Sequence, residues 1–351
     1  MNFASDNVVG ASRPVLEALS AANDGSQTAY GSDAFSERGE AMLAEVFEHE
    51  VAVFLVATGT GANALALSAI TPPWGGVFCH AESHVLDDEC GAPEMFTAGA
   101  KLIGIPGVGG KMAPADLVAT LERFPRGLVK AVQPSALSIS QVTEAGTLYT
   151  LEEIATLSGI ARDLGIRVHL DGARFANAMV ALGCSAADMT WRAGVDVVTF
   201  GATKNGCLAC EAVVFFDKAL AADFQFRRKR GGHTLSKGRL LGAQLVGYLG
   251  NDHWIANARH ANLMASVLAG GLTGIPGVRM AWPTQANEVF VVMPPAVDDA
   301  VRAAGFRGAP WSSLSLPEGF EVGGDRFVRF VTSWATRADD IAALIAAAGR
   351  A

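Results

Sequence analysis

At 351 residues, half of them hydrophobic, 18% charged and only five of them cysteine, the chain has a globular composition that excludes intrinsic disorder, collagen-like repeats and a disulfide-built scaffold. Acidic residues outnumber Lys and Arg by 35 to 27, and a net charge of −8 repels a phosphate backbone, so nucleic acid is not an expected partner. The first ten residues, MNFASDNVVG, carry neither part of a secretory signal, and Gly59, Gly61, Pro72 and Pro73 break the uncharged run 51–81; a cytoplasmic, membrane-free protein with reduced thiols is expected.

In chain order, apolar runs of strand length alternate with segments of helical period, the pattern of an α/β fold with a mainly parallel sheet. The spacing predicts a strand over 51–56, a helix over 62–70, strands over 76–79, 101–105 and 129–132, a helix over 151–164, and strands over 167–170 and 195–200. From about residue 240 the pattern changes to one long helical stretch reaching 270, then strands over 278–281, 288–293 and 326–332, and a last helix over 337–348 capped by Thr336. This predicts a large domain over residues 1–245 and a smaller C-terminal α+β domain over 246–351.

The segment Ala57–Ala64 (ATGTGANA) joins a strong strand to a strong helix. Its glycines admit a ligand to the backbone, and unpaired N–H groups at a helix start favour a phosphate. Because Gly59-x-Gly61-x-x-Ala64 also fits the dinucleotide fingerprint, a nicotinamide oxidoreductase stands as a rival reading. Other patterns fail: Lys111 lacks the glycine and hydroxyl of a phosphate loop, Val53 stands where a zinc helix starting at His49 needs its second histidine, and Cys207 and Cys210 have no partner pair, so no metal site is expected. Two further strands each lead into a charged residue, Asp171 after Arg167–Leu170 and Lys204 after Val195–Phe200. In an open α/β sheet both would enter one crevice at the strand ends. A phosphate loop, an acid for a pyridine nitrogen and an amine for an aldehyde are the three attachments that pyridoxal 5'-phosphate (PLP) needs.

The ordered set Ser5-Asp6-Asn7, Tyr30-Gly31, Thr58–Asn63, His84 with Glu89, Asp171–Arg174, Lys204, Arg227-Arg228-Lys229 and Val328–Thr332 resembles the L-threonine aldolases, PLP enzymes of the aspartate-aminotransferase fold type I. Cys90–Glu94, Phe200–Gly206 and Arg228–His233 resemble their low-specificity and phenylserine aldolase branch. The resemblance implies the PLP-dependent transferase-like fold and retro-aldol cleavage of L-β-hydroxy-α-amino acids to glycine and an aldehyde, with β-elimination or dehydration of hydroxy amino acids as the alternative. It places Lys204 as the amine that holds the cofactor, Asp171 on the ring nitrogen, and Gly59, Thr60 and Gly61 with Thr203 around the phosphate. His84 stacks on the ring and is the first candidate base for the β-hydroxyl, directly or through water. Arg174 and Arg329, with Ser5, would clamp the substrate carboxylate, since planar bidentate donors suit it. Tyr30 and Lys229 would reach a neighbouring subunit's site, which implies a homodimer or homotetramer. In many family members a second histidine lies in the loop corresponding to 133–146; none is present here, so hydroxyl recognition passes to Thr143, Glu144 or water.

Overall fold

Short apolar runs form seven strands, β1 (Ala52–Val56), β2 (Gly75–His80), β3 (Lys101–Ile105), β4 (Gln133–Ser140), β5 (Arg167–Gly172), β6 (Val197–Gly201) and β7 (Glu211–Phe215), in a computed structural model that describes all 351 residues. Their order in the sheet is β1-β7-β6-β5-β4-β2-β3, and β7 alone runs against its neighbours. A sheet of this kind has to be covered on both faces. On one face, Leu65 and Ala66 of the Gly59–Ile70 helix pack on Val77, Val197 and Val213. On the other, the alternate residues Leu137, Ile139, Leu170, Val198 and Phe200 meet Phe47, Ile154 and Leu245 from three more helices.

A second sheet, entirely antiparallel, is built from β8 (Arg279–Met280), β9 (Glu288–Met293), β10 (Ala309–Pro310) and β11 (Arg326–Val331) in the order β10-β11-β9-β8. Its inner face, with Val289, Val291, Val328 and Phe330, is sealed by Leu268 and Leu272 of the His253–Thr273 helix and by Ile341 and Leu344 of the Ala338–Ala348 helix. The chain's first residues join this sheet rather than the large one. Phe3 is fully buried in its core, Asn2 bridges to Arg307, and the Val331 N–H donates to the Phe3 carbonyl at 2.7 Å. No helix is long and apolar enough to cross a membrane.

Three predicted elements are corrected. The run 129–132 is not a strand: Val129 is 99% exposed in a turn, and β4 begins at Gln133, its Ser138 hydroxyl paired inside the sheet with His169 Nδ1 at 2.9 Å. The stretch 240–270 is two helices, Arg239–Leu249 and His253–Thr273, because Asn251 and Asp252 take left-handed φ values of 52° and 55°. Thr336 does not cap the last helix; its hydroxyl accepts from the Ser333 N–H, and Arg337 occupies the cap position without a side-chain bond to the helix backbone. β7 and the helices Arg13–Ala22 and Ala34–Phe47 add to the elements predicted from spacing.

Candidate active site

Parallel strands deliver their carboxyl ends to one edge of the sheet. Chain leaving β1 supplies Thr58, Gly59 and Thr60; chain leaving β2, His84; chain leaving β4, Glu144; β5 carries Asp171 next to its last residue and leads to Arg174; and chain leaving β6 supplies Thr203 and Lys204. With Ser5 from the amino-terminal segment and Trp311 and Arg329 from the second sheet, these residues line a single cavity of about 640 Å³. Asp171 and Lys204, 33 positions apart in sequence, therefore open on the same space.

Asp171 is almost fully buried, and its carboxylate is held from two sides: Oδ1 accepts the Ala173 N–H at 3.0 Å and Oδ2 accepts Asn63 Nδ2 at 2.8 Å. Asn63 also donates to Glu89 Oε1 at 2.9 Å, and the same oxygen meets His84 Nδ1 at 2.9 Å. A buried polar chain thus runs from the imidazole through Glu89 and Asn63 to Asp171, fixing all four side chains in one arrangement. Glu89 raises the His84 imidazole above its ordinary value through that hydrogen bond, against the opposing effect of burial. Replacing Glu89 with Gln keeps the acceptor and removes the charge, so the imidazolium loses its stabilising partner and should deprotonate at lower pH. Imidazole NMR titration of wild type and Glu89→Gln checks this; an unmoved midpoint would remove Glu89 as the cause.

Lys204 sits on the turn Thr203–Asn205, which is bolted to the large core. Asn205 donates to the Tyr248 hydroxyl and the Trp254 carbonyl, each at 2.8 Å, while Thr203 Oγ1 donates to the Cys210 carbonyl at 3.3 Å and accepts the Cys210 N–H at 3.0 Å. Phe200, four residues before Lys204, packs against Phe175 and Trp254 with ring centroids 5.3 Å and 5.6 Å apart. Beside the turn, Glu211 accepts the Ala202 N–H at 2.9 Å, and burial pushes its carboxyl up to about 7. Neither Glu211 nor Asn63 carries a distinctive spacing; only their places in the sheet register and on the Gly59–Ile70 helix bring them here.

At the expected phosphate loop, two rather than three of the named amides are free. Gly59 and Thr60 are the first two helical residues and have no intrahelical acceptor, whereas the Gly61 N–H is taken by the capping Thr58 hydroxyl at 3.1 Å. Gly61 has a different requirement. A Cβ there would lie 2.1 Å from His233 Nε2, and His233 accepts the Ala57 N–H at 3.2 Å.

In the same cavity Arg174 and Arg329 are brought together, each already engaged by acids. Arg174 forms a two-pronged pair with Asp6, at 2.8 Å and 3.1 Å, and lies 3.3 Å from Glu288. Arg329, with 17% of its side chain exposed, lies 3.6 Å from Glu288, donates to the Ala4 carbonyl at 3.0 Å and stacks 4.3 Å from the Trp311 ring centroid. Burial opposes charge on both members of the Arg174–Asp6 pair, yet each holds the other ionised: Arg174 is raised above its ordinary value and Asp6, with help from Lys204, is lowered. Asp6 and Glu288 are functional-site residues that spacing did not single out by role. Ser5 lines the cavity beside them.

Tyr30 and Lys229 do not line this cavity. They pair on the surface, with the ammonium 5.1 Å from the ring centroid, and Tyr30 is 54% exposed.

The donor set fits PLP: a buried carboxylate with two structural donors, a lysine in the same cavity, two free helix-start amides, and buried Asn63 Oδ1 and Glu89 Oε2 that have no partner among protein groups. Residues 2–294 match the profile of the β-eliminating lyase family. Over 305 residues the chain is 40% identical to a low-specificity L-threonine aldolase of Pseudomonas sp., covering 87% of this chain and 88% of that one. It is 39% identical over 334 residues to a low-specificity L-threonine aldolase of Pseudomonas aeruginosa, with 95% and 93% covered. The fold matches Leishmania major threonine aldolase with a TM-score of 0.90 at 28% identity, across 99% of this chain and 98% of that one. With the strand-end cavity and its lysine–aspartate pair in place, these matches settle descent: the chain belongs to the β-eliminating lyase family, in the company of its low-specificity threonine aldolases.

Proposed function

We propose that the chain is a PLP-dependent aldehyde-lyase that cleaves L-β-hydroxy-α-amino acids of the threonine, allo-threonine and phenylserine type to glycine and an aldehyde, and runs the reverse aldol addition. The observation that carries this reading is the sharing of one cavity by Lys204, Asp171 and the Arg174–Arg329 pair. The 40% identity to a threonine aldolase over most of both chains supports it, and neither β-elimination nor the nicotinamide reading of the glycine loop is favoured by these matches.

When bound, the cofactor supplies a conjugated ring that accepts the electron pair of a bond breaking at Cα. The residues supply position and charge. Lys204 would hold the cofactor aldehyde, Asp171 would keep the ring nitrogen protonated, and the Gly59 and Thr60 amides would take the phosphate with the Thr203 side chain alongside. The two arginines and Ser5 bind the substrate carboxylate; because Asp6 and Glu288 preset the guanidinium planes, the clamp meets the substrate in one orientation. That orientation selects which bond at Cα breaks. His84, held by Glu89 through Nδ1, would flank the ring.

Incubation of the purified protein with threonine, allo-threonine and both phenylserine diastereomers should release acetaldehyde or benzaldehyde with an equal amount of glycine. Ammonia and a keto acid in their place would overturn the aldolase reading in favour of elimination. Tyr30 and Lys229 lie outside their own chain's cavity and are assigned to a neighbouring subunit's, making a homodimer the catalytic minimum and a homotetramer its dimer of dimers; full activity in a sedimenting monomer would contradict this. Five unpaired cysteines accord with a cytoplasmic setting.

A further inference from the structure

In the family reading, the β-hydroxyl must lose a proton as the aldehyde leaves, and the loop after β4 offers no histidine for it. Two residues of that loop carry suitable oxygens, and they differ in what they have left to offer. Thr143 is fully buried away from the cavity, its hydroxyl bonded to the Gly109 carbonyl at 3.2 Å and to Thr147 Oγ1 at 2.8 Å. Glu144 lines the cavity. Its Oε1 accepts both the His84 N–H at 2.8 Å and the Ser140 hydroxyl at 2.9 Å, which fixes the plane of the carboxyl group. Its Oε2 is buried and has no partner at all.

Glu144 also lines an adjoining chamber of about 270 Å³, which shares Asp88, Glu144 and Trp311 with the main cavity. A substrate held by its carboxylate at Arg174 and Arg329, with its Cβ substituent reaching into that chamber, would bring its hydroxyl to the wall that Glu144 lines between the two. From this geometry, and resting on the aldolase reading above, we infer that Glu144 Oε2 is the acceptor of the β-hydroxyl proton.

The step balances. The O–H proton passes to Glu144, the O–H electron pair becomes the second bond of the aldehyde carbonyl, and the Cα–Cβ pair stays with Cα. Cα later takes up one proton to give glycine, and Glu144 discharges its own to water, so none is consumed overall. The electrostatics agree: burial and the nearby Asp171 push the Glu144 carboxyl up to about 7, where it exchanges a proton near neutrality, while Arg174 faces it with the opposite charge and His84, Lys204 and Asp88 share its cavity.

The test is Glu144→Gln in the PLP-loaded enzyme, since an amide keeps Oε1 as acceptor for His84 and Ser140 and removes the base. Two reactions are compared: cleavage of phenylserine, and exchange of the glycine Cα proton with deuterated water, which uses the same lysine and clamp but no hydroxyl. Cleavage should fall on the order of 10²- to 10⁴-fold with exchange nearly unchanged, and a protonated-carboxyl infrared band titrating near neutrality in wild type should vanish. Equal losses in both reactions would reduce Glu144 to a structural part, and no loss in cleavage would hand the proton to His84 or water. Should Glu144→Gln not fold, Glu144→Asp must lower the cleavage-to-exchange ratio; an unchanged ratio overturns the assignment. Wild-type enzyme that exchanges glycine but cleaves no hydroxy acid would instead fail the aldolase reading itself.

Discussion

Replacing Lys204 with alanine should remove cleavage of every hydroxy amino acid the wild type accepts, by a factor on the order of 10⁴ or more, the scale on which loss of a nucleophile is felt. The loss should be chemical, not conformational. The turn carrying Lys204 is fixed by Asn205, Thr203 and Phe200, none of which contributes through the lysine side chain, so the melting temperature without cofactor should barely move. Borohydride treatment of wild type should fix the cofactor to the peptide containing Lys204, and the same treatment of Lys204→Ala should leave no label. Label on another lysine, or substantial turnover in the variant, would remove the residue from the centre of the mechanism.

The second large effect is expected at Asp171. Alanine there removes the carboxylate proposed to face the ring nitrogen and leaves the Ala173 N–H without its acceptor. Taking one member from a buried charge pair costs about 3–5 kcal/mol, roughly 10²- to 10⁴-fold in cofactor affinity or turnover. Asn at this position separates the contributions: it keeps an oxygen for the Ala173 N–H while removing the charge and the acceptor for Asn63, so it should fold with a small loss of stability yet retain cofactor weakly. Equilibrium binding of PLP to wild type, Asp171→Asn and Asp171→Ala provides the measurement, and wild-type affinity in Asp171→Asn would mean that the charge is not what holds the ring. Because Asp171 also raises the carboxyls of Glu144 and Glu211, both variants should shift their titration to lower pH.

The parallel strands and the residues at their ends were readable from the chain because two periodicities coincide there: an apolar run of strand length ends in a charged or glycine-rich turn. β5 into Asp171 and β6 into Lys204 have this form, and both fall where the spacing puts them. β4 does not. Gln133, Pro134, Ser135, Ser138 and Ser140 interrupt its apolar character, and nothing local announces that Ser138 will find His169 in the adjacent strand, so the eye settles on the valines just upstream, which lie in a turn. β7 opens on Glu211, a charge that reads as loop until its carboxylate is seen to accept the Ala202 N–H across the turn. The acids behind the arginine clamp are hidden for a further reason. Asp6 and Glu288 are 282 positions apart, and only the second sheet, by seating the amino-terminal segment against β11, puts both beside Arg174.

That seating bears on how the enzyme is made. Phe3 and Val331, whose N–H binds its carbonyl, are 328 positions apart, so this contact forms only after all the intervening chain has been made. The seven strands of the large sheet all lie between residues 52 and 215 and can pair before β11 is made, whereas the seating of Ser5 and Asp6 depends on it. A nascent chain arrested before residue 326 would contain Asp171, Lys204 and Arg174 but would lack Arg329 and the strand that seats Ser5 and Asp6, so the full clamp waits for β11.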